Sequence, residues 1–306
     1  MGTVAALPSE RDQNFLLASA DGGKFVLKIA NLGDSAQVLD LQNQAMRRVA
    51  KAAADCRVPQ VLRSRQGLEI ERIHHACAGT DHWMRLLTWV DGTVLANAGA
   101  RDVAMLESIG AGIATIGAAL SGFSHPAMHR ALQWDLRRAG MAREHTGLLP
   151  LTRRARILRL FSEWEEIDWS NLPHSVVHGD ANDHNVLIGD GRMLGLLDFG
   201  DMVYSATVCD LAIVLAYAML GERQPLCAGA HIVAAYQRRH PLTEAEQRVL
   251  LPLVLSRLCM SVCYSAHNRA RNPGDPYQVV SEAAAWDLLD TLEREAERTP
   301  VWPIRS

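Results

Sequence analysis

The sequence predicts an α+β protein of two lobes, a small β-rich lobe over residues 1–90 and a larger, mainly helical lobe over residues 91–306. Two patterns predict this division. Short strand-like runs separated by turn residues dominate the first ninety residues, whereas apolar residues recur at helical spacing from residue 100 onward. A third observation is size, because a chain of 306 residues that is 48% hydrophobic can bury a large core.

The predicted N-terminal lobe begins with a β-hairpin. Strand-like runs at Asn14–Ala20 and Lys24–Ala30 are joined by Asp21-Gly22-Gly23, which has the composition of a hairpin turn. A helix over Ser35–Ala54 is expected next, because an N-cap candidate precedes apolar residues at helical spacing. Two further strands are predicted at Glu69–Ile73 and His82–Thr88.

The predicted C-terminal lobe is mostly helical. Its helices are predicted from helical periodicity at Val103–Leu120, Thr152–Glu166, Cys209–Leu220, Leu226–His240, Glu244–His267 and Ser281–Glu297. Short apolar runs between the second and third of these helices predict strands at Ser175–Val177, Val186–Ile188 and Met193–Leu197.

The most informative segment is His178–Ile188 (HGDANDHNVLI), followed ten residues later by Asp198-Phe199-Gly200-Asp201. Asn185 comes five residues after Asp180, and Asp198 comes thirteen after Asn185. Kinases place a catalytic-loop Asp, a metal-binding Asn and the metal-binding Asp of a D-F-G turn in this order and spacing. Transfer of a phosphoryl group needs one carboxylate beside the attacking hydroxyl, and oxygen ligands that hold Mg²⁺ on the nucleotide phosphates. The alternative is a structural His-Asp turn beside an ordinary hairpin.

Charge and composition argue against several other classes of protein. A net charge of −3 and a pI near 6.5, with no long Lys/Arg block, argue against a general nucleic-acid binder. We expect no membrane span, because no apolar stretch reaches about 18 residues, and no signal peptide, because Met1–Arg11 lacks a basic start and an apolar core. Cysteine spacing predicts reduced thiols, with Cys259 and Cys263 in the core, and we expect a cytoplasmic protein.

Two N-terminal segments are candidates for binding phosphate. Lys28 lies in the strand-like run FVLKIA, which resembles the V-A-I-K strand whose lysine contacts nucleotide phosphates; the alternative is a lysine on a surface edge. Ser9 to Asn14 (SERDQN) occupies the place of a glycine-rich loop but contains no glycine. A polar turn can still direct backbone N–H groups and the Ser9 hydroxyl at phosphates, or it can be a solvated charged turn.

These motifs together resemble a known family. SERDQNF, FVLKIAN, LDLQNQAM, RLLTWVDG, HGDANDHNVLI and LLDFGDMVYS are similar to the aminoglycoside phosphotransferase superfamily, and within it to the hydroxylysine kinase group. The resemblance extends over roughly residues 4–298. It implies a protein-kinase-like bilobal fold, in which a five-stranded N-lobe binds a purine nucleotide against a C-lobe that holds the catalytic loop and the acceptor.

The resemblance also implies roles for individual residues. Asp180 is expected to be the catalytic base, His178 to brace the catalytic loop, and Asn185 and Asp198 to bind Mg²⁺. Lys28 is expected to contact the nucleotide phosphates. The remaining nucleotide-binding positions are expected at Ser9 and Asn14 and at the hinge formed by Leu87, Thr88, Trp89 and Val90.

Two features differ from the family pattern. The family usually has a glutamate on the first helix as the partner of the lysine, whereas Gln44 is the residue at the matching position here. A neutral amide would hold Lys28 less firmly, because it supplies no charge. Only eight residues precede Ser9, so we expect the helix and much of the first strand common in relatives to be missing or shortened.

The acceptor site is less well determined by the sequence. An acceptor that carries an ammonium and a carboxylate needs both acids and bases around it. Asp183 and Asp201 are the candidate acids, and Arg257, His267 and Arg269 the candidate bases; each can equally be a solvated helix charge. Asp210 is expected to cap its helix and brace the catalytic loop.

Three hypotheses follow for the function. The first is a kinase that transfers the γ-phosphoryl group of ATP or GTP to a hydroxylated amino acid or amino alcohol such as hydroxylysine. The second keeps the chemistry but has an aminoglycoside-type antibiotic, homoserine or a choline-like alcohol as acceptor. The third is a nucleotide-binding pseudokinase, against which the complete set of Asp180, Asn185 and Asp198 argues. The choice between ATP and GTP and the oligomeric state stay open.

Overall fold

The computed structural model describes residues 2–77, 79–273 and 281–296. Its first part is a six-stranded antiparallel sheet with the order β1-β2-β3-β6-β4, in which β5 also pairs with β6. The strands are β1 (Thr3–Leu7), β2 (Gln13–Ala18), β3 (Lys24–Ile29), β4 (Val61–Leu62), β5 (Glu71–His75) and β6 (Thr80–Thr88).

The first hairpin forms where the sequence predicts it. Gly22 has φ +90° in the turn between β2 and β3, a conformation that glycine adopts without steric cost. Strand β1 is present, and its five residues pair along their whole length with β2, from Thr3 opposite Ala18 to Leu7 opposite Asn14. The β2–β3 hairpin therefore has a paired strand on either side.

Helix α1 (Ala36–Ala52) packs on this sheet. Its N-cap is Ser35, whose hydroxyl accepts a hydrogen bond from the Val38 N–H at 3.3 Å. Residues that recur at helical spacing, among them Leu41, Ala45 and Val49, are fully buried. The predicted apolar stripe thus fixes which side of the helix faces the core.

The second part of the chain is mainly helical, as the sequence predicts. Its helices are α2 (Val103–Leu120), α3 (Leu151–Glu165), α4 (Val208–Ala218), α5 (Pro225–Gln237), α6 (Glu244–Arg271) and α7 (Glu282–Ala296). A long 3₁₀ segment over Leu136–Leu148, which sequence periodicity does not predict, packs against α6. The end of the large sheet at Thr88 supports the predicted lobe boundary at residue 90, which stays a prediction.

Two small sheets support the segment between α3 and α4. One has the order β10-β9-β7, and the other pairs β11 with β8. The strands are β7 (Thr93–Val94), β8 (His174–Val177), β9 (Val186–Gly189), β10 (Arg192–Leu196) and β11 (Val203–Ala206). The loops that leave β8 and β10 lead directly into the two motifs singled out in the sequence.

Helices α2 and α6 are long and apolar enough, by length and composition alone, to cross a membrane. The expectation that no segment meets this criterion is therefore wrong. Half of the apolar window of α2 and 83% of that of α6 are buried inside the protein. Such apolarity is what the core helices of the C-lobe require.

All six cysteines are free. Cys259 and Cys263 are buried on α6, as the sequence predicts, and burial raises the pKa of the Cys263 thiol to about 12. These two thiols are core residues.

Candidate active site

The catalytic loop leaves β8 and is held by a buried carboxylate. Asp210 on α4 accepts hydrogen bonds from the backbone N–H groups of His178 and Gly179, each at 2.8 Å. The predicted bracing role of Asp210 is confirmed. Its predicted capping role is wrong, because Thr207 is the N-cap residue of α4 and Asp210 lies within the first turn.

His178 braces the same loop from inside. Its ring is fully buried, Nδ1 accepts a hydrogen bond from the Asp180 N–H at 3.2 Å, and Nε2 donates to the Leu197 carbonyl at 2.9 Å. Burial lowers the pKa of His178. The imidazole is therefore neutral, with its proton on Nε2, and it ties the catalytic loop to the strand that leads to Asp198.

Gly179 lets a second motif approach this loop. Its φ is +81°, and a Cβ at this position would lie 2.3 Å from the Asp201 carbonyl oxygen. A side chain here would displace one of the two segments. The glycine therefore places Asp201 beside the loop that carries Asp180.

Asp180 lies at the centre of a network of donors. The Arg257 guanidinium donates to its carboxylate at 2.7 Å, Asn182 Nδ2 lies 3.0 Å away and Asn185 Nδ2 2.8 Å away. Burial raises the pKa of Asp180 to about 8, Arg257 opposes this shift, and the carboxylates of Asp201 and Asp198 add to it. A carboxylate with a raised pKa, aligned by three donors, is suited to accept a proton.

Asp198 faces the N-lobe lysine. It has φ +52°, and its Oδ1 accepts hydrogen bonds from Lys28 Nζ at 2.9 Å and from the Gly200 N–H at 3.2 Å. Desolvation alone would raise the pKa of Asp198, but the charge and hydrogen bond of Lys28 outweigh it and lower this pKa to about 2. Lys28 is itself buried, so β3 and the Asp198 turn form one charged site between the lobes.

The donor set around Asp198 fits a hard divalent cation. Asn185 lines the cleft, and its Nδ2 donates to Asp180, which leaves its amide oxygen Oδ1 as the possible ligand. Asp198 Oδ1 is engaged by Lys28, which leaves Oδ2. One carboxylate and one amide oxygen are the kind of protein ligands that Mg²⁺ uses when substrate phosphates and water supply the rest.

Lys28 has a different partner from the one expected. Gln44 Nε2 donates to Asp40 at 2.7 Å, one turn away along α1, so the predicted contact between Gln44 and Lys28 is wrong. Lys28 instead contacts Asp198 at 2.9 Å and Asp12 at 3.9 Å. Successive helix residues point about 100° apart, and packing turns the neighbours of Gln44, not Gln44 itself, toward the sheet.

Those neighbours bind a second buried cation. Gln42 and Asn43 accept hydrogen bonds from Arg85 of β6, which is paired in register with Lys28. Burial lowers the pKa of Arg85 to about 10. Two amides on α1 therefore bind the terminal nitrogens of an arginine on the central strand, and Lys28 pairs with Asp198 instead.

A chain of polar contacts links the two lobes beside the Asp198 turn. Asp12 accepts hydrogen bonds from Asn31, whose Nδ2 also donates to Asp34 at 2.8 Å. Arg130 then donates to Asp34 and to the Gly200 carbonyl, both at 2.9 Å. This chain joins the loop before β2, the start of α1 and the Asp198 turn.

Residues 8–12, the loop between β1 and β2, lie against the C-lobe. Glu10 accepts hydrogen bonds from Trp134 Nε1 at 3.2 Å and Gln133 Nε2 at 3.3 Å, and the Arg11 guanidinium pairs with the Asp201 carboxylate. Ser9 lines the same cleft, whereas Asn14 lies on β2 opposite Lys28, where its Oδ1 is buried and has no hydrogen-bond partner among the described residues. Sequence reasoning missed Glu10 and Arg11, because the loop was expected to face only phosphates.

The predicted hinge, residues 87–90, is partly hydrogen-bonded within the N-lobe sheet. Leu87 pairs with both β3 and β4, Thr88 donates its N–H to the Gln60 carbonyl at 2.9 Å, and Trp89 donates to the Lys24 carbonyl at 3.3 Å. Val90 lies two residues beyond the end of β6. Thr88 and Trp89 therefore use their N–H groups within the protein, and a contact of this segment with a purine stays a prediction.

The predicted acceptor residues fall into two groups. Asp183 and Asp201 line the cleft that contains Asp180, and Asp183 Oδ1 is buried without a partner within the described part of the chain. Arg257 also lines it, but its guanidinium is bound to Asp180, to the Trp134 carbonyl and to Tyr217. It is therefore a partner of the catalytic loop, not a free base.

The other two predicted bases lie elsewhere. His267 stacks on His145 at 4.1 Å, and Arg269 is exposed and pairs with Glu282, so their assignment to the acceptor site is wrong. Both are on the last turns of α6, on either side of Asn268, which lines the cleft, and the rotation of about 100° per helix residue turns them away from it. The α6 side chains that do line it are Arg257, Ser261, Tyr264, Ser265 and Asn268.

The comparisons with known proteins agree with this geometry. Residues 3–246 match the phosphotransferase enzyme family. The hydroxylysine kinase of Danio rerio is 30% identical over 316 residues, covering 95% of this chain and 88% of the relative; that of Mus musculus is 29% identical over 318 residues, covering 94% and 84%.

Solved structures share the fold. An amicoumacin kinase in complex with AMP-PNP and Ca²⁺ superposes with a TM-score of 0.69 at 16% identity, covering 99% of this chain and 90% of the other. A microcompartment-associated aminopropanol kinase gives the same TM-score and identity, covering 96% and 93%. The predicted protein-kinase-like α+β fold is confirmed. With a family match over most of its length and a catalytic Asp loop facing a Lys–Asp pair, this chain belongs to the phosphotransferase enzyme family and is a small-molecule kinase with a hydroxyl group as acceptor.

Proposed function

We propose that the protein transfers the γ-phosphoryl group of a purine nucleotide to the hydroxyl of a hydroxylated amino acid or amino alcohol, of which hydroxylysine is the leading candidate. The observation that carries the proposal is the position of Asp180, bound to Arg257 and Asn185 in a cleft that is also lined by Asp198, the partner of Lys28. The hydroxylysine kinases support this acceptor class, since they align with almost the whole chain.

In the proposed mechanism, Asp180 accepts a hydrogen bond from the acceptor hydroxyl and takes its proton as the oxygen bonds to the γ-phosphorus. The bond between the γ-phosphorus and the bridging oxygen breaks, and the nucleoside diphosphate leaves with that electron pair. Arg257 and Asn182 hold the carboxylate in one orientation, so no side-chain freedom is lost at the moment of reaction. His178 and Asp210 fix the backbone of the loop from behind. Catalysis thus rests mainly on positioning.

Lys28, Asn185 and Asp198 would serve the donor. Lys28 would contact nucleotide phosphates, and Asn185 Oδ1 and Asp198 Oδ2 would hold Mg²⁺, which neutralises charge on those phosphates when bound. Ser9 and the backbone of its loop would cover the phosphates, and the segment from Leu87 to Val90 would contact the purine. Asn14, beside Lys28 in register, would orient that lysine.

The acceptor side of the cleft is lined by more acids than bases. Glu10, Asp183 and Asp201 line it together with Arg11 and Arg257. An excess of carboxylates favours an acceptor that carries at least one ammonium group. This supports amino acids with a basic side chain and amino alcohols over neutral or acidic alcohols, and it keeps aminoglycosides as a second candidate class.

A two-stage experiment tests the proposal. Thermal-shift measurements with ATP and GTP, each with and without Mg²⁺, would identify the donor, and we expect stabilisation that depends on both components. Nucleotide turnover would then be measured with 5-hydroxylysine, an amino alcohol, homoserine, choline and an aminoglycoside. Turnover above background with choline or the aminoglycoside alone would replace the proposed acceptor class by the second candidate.

A further inference from the structure

The contact between Arg11 and Asp201 crosses the cleft next to the catalytic carboxylate. Arg11 belongs to the loop over residues 8–12 of the N-lobe, and Asp201 ends the Asp198 turn of the C-lobe. Asp201 is fixed from behind, because its carbonyl packs on Gly179, the residue before Asp180. The pair therefore holds one cationic and one anionic group side by side at the place where an acceptor must enter.

We propose that Arg11 and Asp201 together bind the head group of an α-amino acid acceptor. The Arg11 guanidinium takes the carboxylate of the acceptor, and the Asp201 carboxylate takes its ammonium group. This inference rests on the proposed function, since it specifies the acceptor of the same active site.

The chemistry of the pair matches such a head group. A zwitterionic head group carries an ammonium and a carboxylate on the same carbon. When it binds, the ion pair between Arg11 and Asp201 is replaced by two ion pairs, Arg11 with the carboxylate and Asp201 with the ammonium, and all four charges stay paired. A guanidinium binds a carboxylate through two parallel N–H···O bonds, and these are stronger than bonds between neutral groups. The side chain of Arg11 is 39% exposed and that of Asp201 11%, so the arginine is the partner that moves when the acceptor enters.

The surroundings of the pair help to keep Arg11 at this position. Glu10, its neighbour, is bound to Trp134 and Gln133 of the C-lobe, so the loop stays against the acceptor side of the cleft. The other arginine of the cleft, Arg257, is fully buried and occupied by Asp180, Tyr217 and the Trp134 carbonyl. Among the described residues that line the cleft, Arg11 is therefore the arginine available to a substrate carboxylate.

Two substitutions and two acceptors test the assignment. The acceptors are 5-hydroxylysine and its decarboxylated counterpart, a diamino alcohol that keeps the hydroxyl and the ammonium groups. Arg11→Gln should raise the KM of hydroxylysine by about tenfold or more, as loss of a charge-assisted bond does, and should change the KM of the diamino alcohol far less. Asp201→Asn should raise the KM of both acceptors, since both carry ammonium groups.

The controls separate this role from a contact to the nucleotide. The KM of the nucleotide should change little in Arg11→Gln, and Arg11→Lys should recover part of the selectivity for the carboxylate. Arg143→Gln, which removes an exposed arginine paired with Glu165 outside the cleft, should behave like the wild type.

Each outcome decides between alternatives. If Arg11→Gln raises the KM of the nucleotide equally with both acceptors, Arg11 contacts a phosphate and the inference is overturned while the proposed function stands. Equal effects on the two acceptors with an unchanged nucleotide KM also overturn it. If the wild-type enzyme phosphorylates neither acceptor and turns over nucleotide only with choline or the aminoglycoside, the proposed acceptor class fails, and the inference fails with it.

Discussion

The catalytic loop and the loop over residues 8–12 face each other across the cleft, and different kinds of contact hold them. The catalytic loop is held by buried groups: Asp210 binds two of its backbone N–H groups, and His178 is fully enclosed. The opposite loop is held by side-chain contacts of Glu10 and Arg11, both of them exposed residues. Buried bonds to the backbone fix the position of reacting atoms, whereas exposed ion pairs exchange partners at little cost. The residues proposed for the reaction therefore lie on the rigid side, and those proposed for selecting the acceptor lie on the adaptable side.

Removal of the base should have the largest effect. Asp180→Ala should lower kcat by about 10²–10⁴-fold, the usual contribution of a positioned general base, and leave nucleotide binding nearly intact. Asp190→Asn is a matched control, because Asp190 is an exposed aspartate with φ +51°, a conformation that asparagine tolerates. More than about a tenth of wild-type turnover in Asp180→Ala, measured by nucleotide consumption, would contradict the assignment.

We expect the buried Arg257 to contribute most to the rigidity of the catalytic loop. Arg257→Met leaves the Asp180 carboxylate without its cation, and breaking a buried ion pair costs about 3–5 kcal/mol. We expect a loss of this order in the free energy of unfolding, measured with urea, together with a lower kcat. The double variant Asp180→Asn/Arg257→Met should recover part of the stability, because it removes both charges. Additive losses in the double variant would argue against coupling between the two residues.

A third substitution separates the metal from the acceptor. Asp198→Asn should weaken binding of Mg²⁺-nucleotide by about tenfold or more, because a hard dication prefers an anionic oxygen. Asp201→Asn, three residues away, should bind Mg²⁺-nucleotide like the wild type. Calorimetry with both variants distinguishes the two roles, and unchanged binding in Asp198→Asn would refute its role as a metal ligand.

His178 predicts a dependence of stability on pH. Its pKa is lowered in the folded protein, so the unfolded chain binds a proton near pH 6.5 while the folded protein resists it. Stability from this group is present above about pH 6.5 and is lost as the pH falls toward the folded pKa, by at most about 1.4 kcal/mol per pH unit. In His178→Gln the amide can still donate to Leu197 but does not titrate, so urea unfolding at pH 7.5 and 5.5 should show a smaller difference. His231→Gln, on α5 outside the cleft, is the control.

Gln44 should have the smallest effect. Gln44→Glu would place two carboxylates one helical turn apart, since Gln44 contacts Asp40, and this costs about 0.2–0.5 kcal/mol. Nucleotide affinity should not change, because Lys28 is bound to Asp198. Tighter nucleotide binding in the variant, measured by calorimetry, would instead support the contact with Lys28 expected from the sequence.

The same contrast explains what the sequence could predict. Asp180, Asn185 and Asp198 lie within nineteen residues of chain, and the strands that position them are equally local. The bracing by Asp210 was also predictable, because a carboxylate in an apolar helix needs a buried partner. Short-range spacing therefore determines the catalytic side.

The acceptor side depends on contacts between distant segments. Arg11 and Asp201 are 190 residues apart, so no spacing pattern joins them. Gln44 was assigned wrongly because the rotation of α1 is set by Gln42 and Asn43 against Arg85. His267 and Arg269 were assigned wrongly because the rotation of α6 turns Asn268, which lies between them, toward the cleft. In each case tertiary packing decided which side chain faces the cleft.

The polar chain from Asp12 through Asn31, Asp34 and Arg130 to the Gly200 carbonyl has a consequence for divergence of the sequence. Asn31, Asp34 and Arg130 each form a hydrogen bond to the group before and the group after them in this chain. Replacement of any one of them therefore leaves two polar groups without a partner. In descendants of this chain, the four side chains should therefore be inherited or exchanged as a set. Their joint substitution would record a change in how the two lobes meet, independently of any change in the acceptor.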